Sequence, residues 1–328
     1  MRAAFYERTG PAREVLQVAE LDTPEPGAGE VRVRLSTSGV NPSDVKSRAG
    51  LRSKALPFPR IVPHSDGAGV IDRVGQGVPA ARVGERVWVW NAAWLRPFGT
   101  AAQYVVLPSA QAVTMPPGVT FDVGACLGIP ALTALHAVRM DGGVAGKSVL
   151  VTGGAGAVGH YAVQMAKLAG ARQVFATASS EAKAMLALQA GADQVIDYRH
   201  EDVAAHVLRL TGNAGVDRVI EVDFAANVSA SLAALRSEGD IVVYGSGKPE
   251  IPLPFFPTIL KNVRLRFFIV YNLAPADRAV AIEQLTAWLR EGRLQHVVSA
   301  RVALDAIAEA HELVEDGRAV GNVVLQVP

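Results

Sequence analysis

The run Val149-Leu150-Val151-Thr152-Gly153-Gly154-Ala155-Gly156-Ala157-Val158-Gly159 constrains this chain more than any other stretch. A short β-branched segment ends in three glycines, Gly154, Gly156 and Gly159, at G-x-G-x-x-G spacing, and an amphipathic stretch follows to Leu168. A strand that turns sharply into a helix needs such glycines. The first permits the tight turn, the second lets backbone N–H groups approach a ligand, and the third lets the helix lie on the strand. A merely connecting glycine-rich turn would look the same in isolation, so its surroundings decide.

Those surroundings alternate in the manner of parallel α/β units. Candidate strands are Ser148–Thr152, Gln173–Thr177, Gln194–Ile196, Asp217–Val222 and Ile241–Tyr244. Candidate helices are Ala157–Leu168, Glu181–Gln189, Val203–Leu210 and Ser229–Leu235, with Gly170, Gly191, Gly212 and Gly239 placed to end them in left-handed caps. The reading is an α/β fold with a Rossmann doubly wound parallel sheet. In that setting the N–H groups of residues 154–159 and the helix N-terminus suit the diphosphate of a dinucleotide.

The choice of dinucleotide turns on charge about 20 residues onward, where NAD-binding units usually carry Asp or Glu for the ribose hydroxyls. Here the second strand reads Gln173-Val174-Phe175-Ala176-Thr177-Ala178-Ser179-Ser180, without a carboxylate at its end. Ser179, Lys183 and Tyr198 could supply donors to a 2′-phosphate, although Glu181 lies near. NADPH is the expected cofactor.

Before this region, short β-rich runs such as Leu16–Leu21, Val31–Leu35, Gly69–Val74, Arg86–Trp90 and Gln103–Leu107 alternate with Pro- and Gly-rich turns, and Thr120 can cap a helix. After it come an apolar strand Leu265–Val270, helices Pro275–Arg290 and Leu304–Leu313, and a strand Val323–Val327. Such a tail suits a return to the first, β-rich domain.

With 32 Lys+Arg against 31 Asp+Glu and no run of one sign, the chain has no footprint for nucleic acid or an anionic membrane. No apolar stretch approaches the roughly 20 residues of a membrane span, and Met1 leads directly into strand-like Ala3-Ala4-Phe5-Tyr6, so a cytoplasmic protein is expected. A single cysteine, Cys126, leaves no intrachain disulfide and no Cys-rich zinc lobe.

Beyond the glycine loop, the blocks Gly39-Val40-Asn41-Pro42-Ser43-Asp44, Val62-Pro63-His64-Ser65-Asp66-Gly67-Ala68-Gly69-Val70, Val83-Gly84-Glu85-Arg86-Val87, Leu132-Thr133-Ala134 and Gly317–Leu325 span the chain nearly end to end. In order and spacing they resemble the medium-chain dehydrogenase/reductase superfamily, in its zinc-independent, zeta-crystallin-like quinone oxidoreductase branch. The resemblance implies a discontinuous GroES-like β-rich catalytic domain (1–122 and 267–328), a Rossmann NADP(H)-binding domain (123–266), and an active-site cleft where they meet. It implies Asn41 beside the nicotinamide ribose and Thr133 reaching the cofactor. Further cofactor contacts are implied at Ala155, Ala157 and Val158 of the glycine loop, at Gly245-Ser246, at Phe268-Ile269-Val270 and at Asn322. It also implies a homodimer through the edge of the sixth Rossmann strand. The chain departs from the family pattern at His64, where many relatives have glycine, at Lys46, where an aromatic is usual, and at Asn322, where lysine is usual.

Zinc enzymes of this superfamily hold the metal with Cys, His and Cys, where this chain has Asn41, Ser65 and Cys126, so no metal is expected. Without a Lewis acid, the acceptor best suited to hydride transfer is a quinone or enone, whose conjugated oxygen spreads the developing charge. Asn41 and Thr133 are the expected catalytic residues. Tyr6, Asp44, Lys46, His64 and Trp94 could border the cleft, whereas Asp44 also fits a cap after Pro42 and His136 and His160 fit helices without chemistry. Alternatives are a 2-alkenal or enoyl reductase on the same fold, a non-catalytic NADPH-binding redox sensor, and, less compatible with Asn41 and Ser65, a zinc alcohol dehydrogenase.

Overall fold

Alternating burial along the long strand Glu30–Val40 places Val31, Val33 and Leu35 in an apolar core, and this strand is the spine of a β-rich unit. The computed structural model describes every residue from Met1 to Pro328 and divides into Met1–Pro130 with Thr286–Pro328 as one unit and Ala131–Leu285 as the other. In chain order the strands of the first part are β1 (Arg2–Phe5), β2 (Gln17–Glu20), β3 (Glu30–Val40), β4 (Gly67–Val74), β5 (Arg86–Val89), β6 (Tyr104–Pro108) and β7 (Ala112–Thr114). β3 pairs antiparallel with both β4 and β6, and its inward side chains meet Ile71, Val87, Val105 and Leu107. Directly after β3, Asn41 and Pro42 open the helix Pro42–Arg48. The carboxylate of Asp44 accepts the backbone N–H of Asn41 at 2.9 Å, the capping role read from its position. Thr120 likewise caps Phe121–Gly124.

The second unit contributes β8 (Ser148–Val151), β9 (Gln173–Ala178), β10 (Gln194–Asp197), β11 (Val216–Glu221), β12 (Leu235–Val243) and β13 (Arg264–Phe267). All six are parallel, in the order β10-β9-β8-β11-β12-β13. The order reverses between β8 and β11, and an open parallel sheet leaves a crevice for ligands at such a point. Helices Ala157–Leu168, Glu181–Gln189 and Val203–Leu210 match the sequence reading residue for residue, and Gly170, Gly191 and Gly212 have positive φ after them. The fourth helix differs. It spans Phe224–Ala234, starts at the cap Asp223, and passes straight into β12, so Glu238 rather than Gly239 takes the left-handed conformation. The polar Arg236-Ser237-Glu238 hides the first half of that strand from a hydrophobic scan.

The sixth strand is also shorter than expected. It ends at Phe267, and Val270–Asn272 forms a 3₁₀ turn. Residues 267–285 belong with the second unit rather than the first, and the chain leaves that unit within the helix Pro275–Arg290. At the other end the division falls between Pro130 and Ala131, beside a π-helical turn Leu127–Ala131 that accommodates Pro130, which has no N–H to give. The return segment supplies β14 (Val298–Ala303), helix Ile307–Glu315 and β15 (Asn322–Gln326), the last antiparallel to β3.

Candidate dinucleotide site and a buried polar cluster

At the C-terminal end of β8 the chain turns through Gly153, whose φ of +67° favours glycine. The turn residue is thus Gly153, one position before the first motif glycine. Gly154 serves close packing instead: a Cβ there would stand 2.6 Å from the Cβ of Ala176 on β9. A Cβ on Gly159 would collide with the carbonyl oxygen of Gly153, so helix Ala157–Leu168 can approach the loop only with glycine there. Gly156 is the N-cap of that 12-residue helix. The first N–H groups of a helix lack intrahelical acceptors, so those of Ala157, Val158 and Gly159 offer donors where the helix dipole is positive. The buried carboxylate of Glu221, at the end of β11, braces the turn. It accepts Thr152 Oγ1 at 2.9 Å, Ser231 Oγ at 2.7 Å, and Asn227 Nδ2 and the Asp223 N–H at 2.8 Å each. Sequence reading missed this residue, because its donors are split between Thr152, 69 positions away, and the capped helix that follows.

Ser179, Lys183 and Tyr198 gather at the C-terminal ends of β9 and β10. Ser179 is buried just past β9, Ser180 caps the helix that carries Lys183, and the exposed Tyr198 gives its backbone N–H to Ala178 at 3.2 Å. No carboxylate ends β9, although Asp197 lies beside Ala178 on β10, held by His200 and the Arg199 N–H. At the ends of β12 and β13, Gly245, Ser246, Phe268 and Ile269 line a cavity of about 720 Å³ together with His136 and Asp277. Val270 and Thr133 are buried. Phe268 meets His136 edge-on with ring centroids 4.8 Å apart.

In the first unit, Asn41 is buried and donates its side-chain Nδ2 to Asp66 Oδ1 at 2.8 Å, while Ile129 N–H reaches Asp66 Oδ2 at 3.2 Å. Asp66 is wholly enclosed. Burial, reinforced by nearby Asp44, holds its carboxyl well above the usual range, and burial pushes Asp44 up to about 7. Cys126 gives its thiol to the carbonyl of Asp122 at 3.2 Å, and burial raises its pKa. Asn322, expected at the cofactor, donates its Nδ2 to Val297 O at 3.0 Å. A carboxamide tied to Asp66, a serine hydroxyl and a neutral thiol do not make a zinc donor set, and no three His, Cys, Asp or Glu residues cluster suitably for a metal ion.

Sequence reasoning also missed a chain of hydrogen bonds that ends on Asp66. Thr100 Oγ1 donates to the Asp66 carbonyl at 2.6 Å, Ser38 Oγ lies 2.7 Å from Thr100 Oγ1, and His64 Nδ1 lies 2.8 Å from Ser38 Oγ. His64 Nε2 then lies 2.9 Å from His311 Nε2. A carbonyl can only accept, so every proton from Thr100 to His64 Nδ1 has one possible direction. Thr100 gives to Asp66, Ser38 to Thr100, His64 Nδ1–H to Ser38, and His311 Nε2–H to His64. The last link takes this direction because burial keeps both rings neutral, driving His64 down to about 3 and His311 well below its usual value. No sequence signal joins His64 to His311, 247 positions apart.

Two family models match: residues 27–117 fit an alcohol dehydrogenase GroES-like domain and residues 157–287 a zinc-binding dehydrogenase domain. Human quinone oxidoreductase is 30% identical over 99% of this chain and 97% of its own length. The chain belongs to the medium-chain dehydrogenase/reductase family, in its zeta-crystallin-like quinone oxidoreductase branch. A solved NAD-dependent alcohol dehydrogenase shares 35% identity with a TM-score of 0.92 over both full chains. A mycobacterial protein complexed with NADPH shares 29% with a TM-score of 0.90, covering 99% of this chain and 100% of its own. Membership makes this an oxidoreductase of nicotinamide-cofactor type that acts on a small molecule. No helix is long and apolar enough to cross a membrane.

Proposed function

We propose that the protein is an NADPH-dependent quinone oxidoreductase that transfers hydride to a quinone or another conjugated carbonyl without zinc. The observation that carries this reading is the glycine loop at the reversal point of the sheet, where glycine at 154 and 159 lets β9 and the helix N-terminus pack tightly on the turn, with the first N–H groups of that helix lacking intrahelical acceptors. Residues 154–159 would hold the diphosphate, Ser179, Lys183 and Tyr198 the 2′-phosphate, and Gly245-Ser246, Phe268-Ile269-Val270 and Asn322 the nicotinamide half. When bound, NADPH supplies a hydride from C4 of its nicotinamide.

The chain's own part is mostly orientation. Asn41 and Thr133 are assigned to the nicotinamide end as the catalytic pair. The Asn41 carboxamide, anchored on Asp66 and also engaged with Asp44 at the helix start, is assigned to face ligand hydroxyls or a developing oxyanion. Water completes protonation of the reduced acceptor, since the buried His64 and His311 are neutral and enclosed. The donor set Asn41, Ser65 and Cys126 supports chemistry without a zinc Lewis acid.

A homodimer belongs to the same proposal. β13 is an edge strand with β12 as its one neighbour, and Phe255, Phe256, Ile259, Leu260 and Phe267 are exposed beside it. An uncovered strand edge flanked by large apolar side chains favours a second copy.

The similarity to an NAD-dependent alcohol dehydrogenase, with Asp197 beside Ala178, favours NADH as the second reading. Steady-state oxidation of NADPH and NADH with 9,10-phenanthrenequinone, a 2-alkenal and a simple ketone separates these possibilities. Preference for NADPH and the quinone is expected. Turnover confined to simple alcohols and ketones, with stoichiometric zinc in the purified protein, would overturn the proposal.

A further inference from the structure

We propose that Asp66 is the positioning residue for Asn41, fixing which way the carboxamide faces so that a nucleotide always meets the same donor and acceptor. This rests on the assignment of Asn41 to the nucleotide made above. An asparagine side chain is nearly symmetrical in shape, and only its hydrogen bond partners tell nitrogen from oxygen. In its ionised form Asp66 accepts and cannot donate, so an Asn41 turned the other way would then set its Oδ1 against Asp66 Oδ1 instead of the present 2.8 Å hydrogen bond.

The fold goes to some length to keep a carboxylate there. Asp66 is fully buried, and its carboxyl accepts the Asn41 amide, the Ile129 N–H and its own backbone N–H. Two glycines pack closely around it: a Cβ on Gly39 would collide with the Ala125 carbonyl oxygen and stand 2.6 Å from Asp66 Oδ1, and one on Gly128 would stand 2.6 Å from the Val89 carbonyl oxygen and 2.7 Å from Asp66 Cβ. Neither glycine has a positive φ, so backbone conformation does not require them. The Asp66 carbonyl is pinned by Gly39 N–H at 3.0 Å and by Thr100, the last link of the chain from His311. Burial of an incompletely compensated carboxylate costs stability, and its raised pKa reflects that cost. An amide or hydroxyl in its place would satisfy the same N–H groups without dictating direction.

The test is a double-mutant cycle on NADPH affinity, read from reduced-nicotinamide fluorescence, with Asn41→Ala, Asp66→Asn and the double variant. Each single variant should weaken binding by about tenfold, the scale of one hydrogen bond to a charged or well-placed group. The double variant should bind no worse than Asn41→Ala alone, because Asp66 acts through Asn41. Losses that multiply, or an Asp66→Asn variant equal to wild type, overturn the proposal. An Asn41→Ala variant equal to a wild type that binds NADPH overturns the assignment of Asn41 and the positioning role with it. A wild type that binds neither NADPH nor NADH instead overturns the dinucleotide reading. Should Asp66→Asn fail to fold, ¹⁵N-labelled wild-type protein serves, with the Asn41 side-chain amide assigned from Asn41→Ala. One slowly exchanging, downfield Nδ2 proton supports the proposal, and two rapidly exchanging protons overturn it.

Discussion

His64 and His311 stack in the interior of the first unit with ring centroids 5.1 Å apart, Nε2 facing Nε2. His64 holds a φ of +76°, a conformation that suits the glycine many family members carry there. Histidine in that backbone is strained by roughly 1–2 kcal/mol, and the hydrogen bonds to Ser38 and His311 offset it. His64→Gly should therefore relieve strain and still lose stability, because it opens a cavity and strips His311 Nε2–H and Ser38 Oγ of partners. A net loss of about 2–4 kcal/mol is expected in urea unfolding. Equal or greater stability would mean that the pair contributes nothing.

Two sets of buried groups make stability depend on pH in opposite senses. His64, His160 and His311 are neutral by burial, His64 driven down to about 3 and His160 to about 4. Unfolded histidines titrate near ~6.5. Below that pH the unfolded chain binds protons the folded one refuses, so their contribution is complete above about 6.5 and is lost on acidification. Asp44 behaves in reverse. Its folded value of about 7 exceeds the unfolded ~3.9, so the fold holds a proton that the unfolded chain releases, and stability falls as pH rises from about 4 to 7. The buried Asp66 also contributes to this second trend, and Asp44→Asn removes the Asp44 share of it. Its stability relative to wild type should improve by a few kcal/mol, order ~1–4, between pH 5 and pH 8, and a constant difference across that range would contradict the assignment.

How much of this was legible beforehand depends on how local each determinant is. Three helices of the Rossmann unit could be read to the residue, because their caps and glycines lie within a few positions of the apolar stripe. Asp44 was readable as a cap for the same reason. The glycine loop was legible in kind but shifted by one residue, since spacing cannot say whether Gly153 or Gly154 turns the chain. Where polar residues begin a strand, as in Arg236-Ser237-Glu238, the pattern failed. Asp66, His311 and Glu221 were invisible as partners, because their roles are set by contacts with residues distant in sequence or in other segments.

Cofactor choice can be tested at Lys183, on the helix capped by Ser180. A cation near a phosphate contributes charge-assisted hydrogen bonds that a free ribose hydroxyl does not call on. Lys183→Ala should raise the KM for NADPH by about tenfold and leave that for NADH within a factor of about two. An equal rise for both nucleotides would assign Lys183 to the helix alone.

Assembly can be tested on the exposed apolar face beside β13. A charge in the middle of a buried interface leaves it unpaired, which costs several kcal/mol. Phe256→Asp with Leu260→Asp should convert a dimer to monomer in sedimentation velocity, with little change in folding because both side chains are exposed. A wild type that sediments as a monomer at micromolar concentration would remove the dimer from the proposal.

The most direct prediction concerns Gly159. Its φ is not in the left-handed region, so alanine there meets no backbone strain, and helix propensity alone would favour it by about 1 kcal/mol. Space decides the outcome instead. The new methyl group would run into the carbonyl oxygen of Gly153 and lie 3.1 Å from Gly154 Cα, so the helix N-terminus has to move away from the loop. That movement displaces the N–H groups of Ala157 and Val158, the donors assigned to the diphosphate. Gly159→Ala should weaken NADPH binding by at least about tenfold and lower Tm, whereas Gly170→Ala, at a cap distant from the loop, should lower Tm through its φ of +81° and leave affinity unchanged. Equal affinity losses in the two variants would mean that helix stability, rather than the close approach of the helix to the glycine loop, governs nucleotide binding.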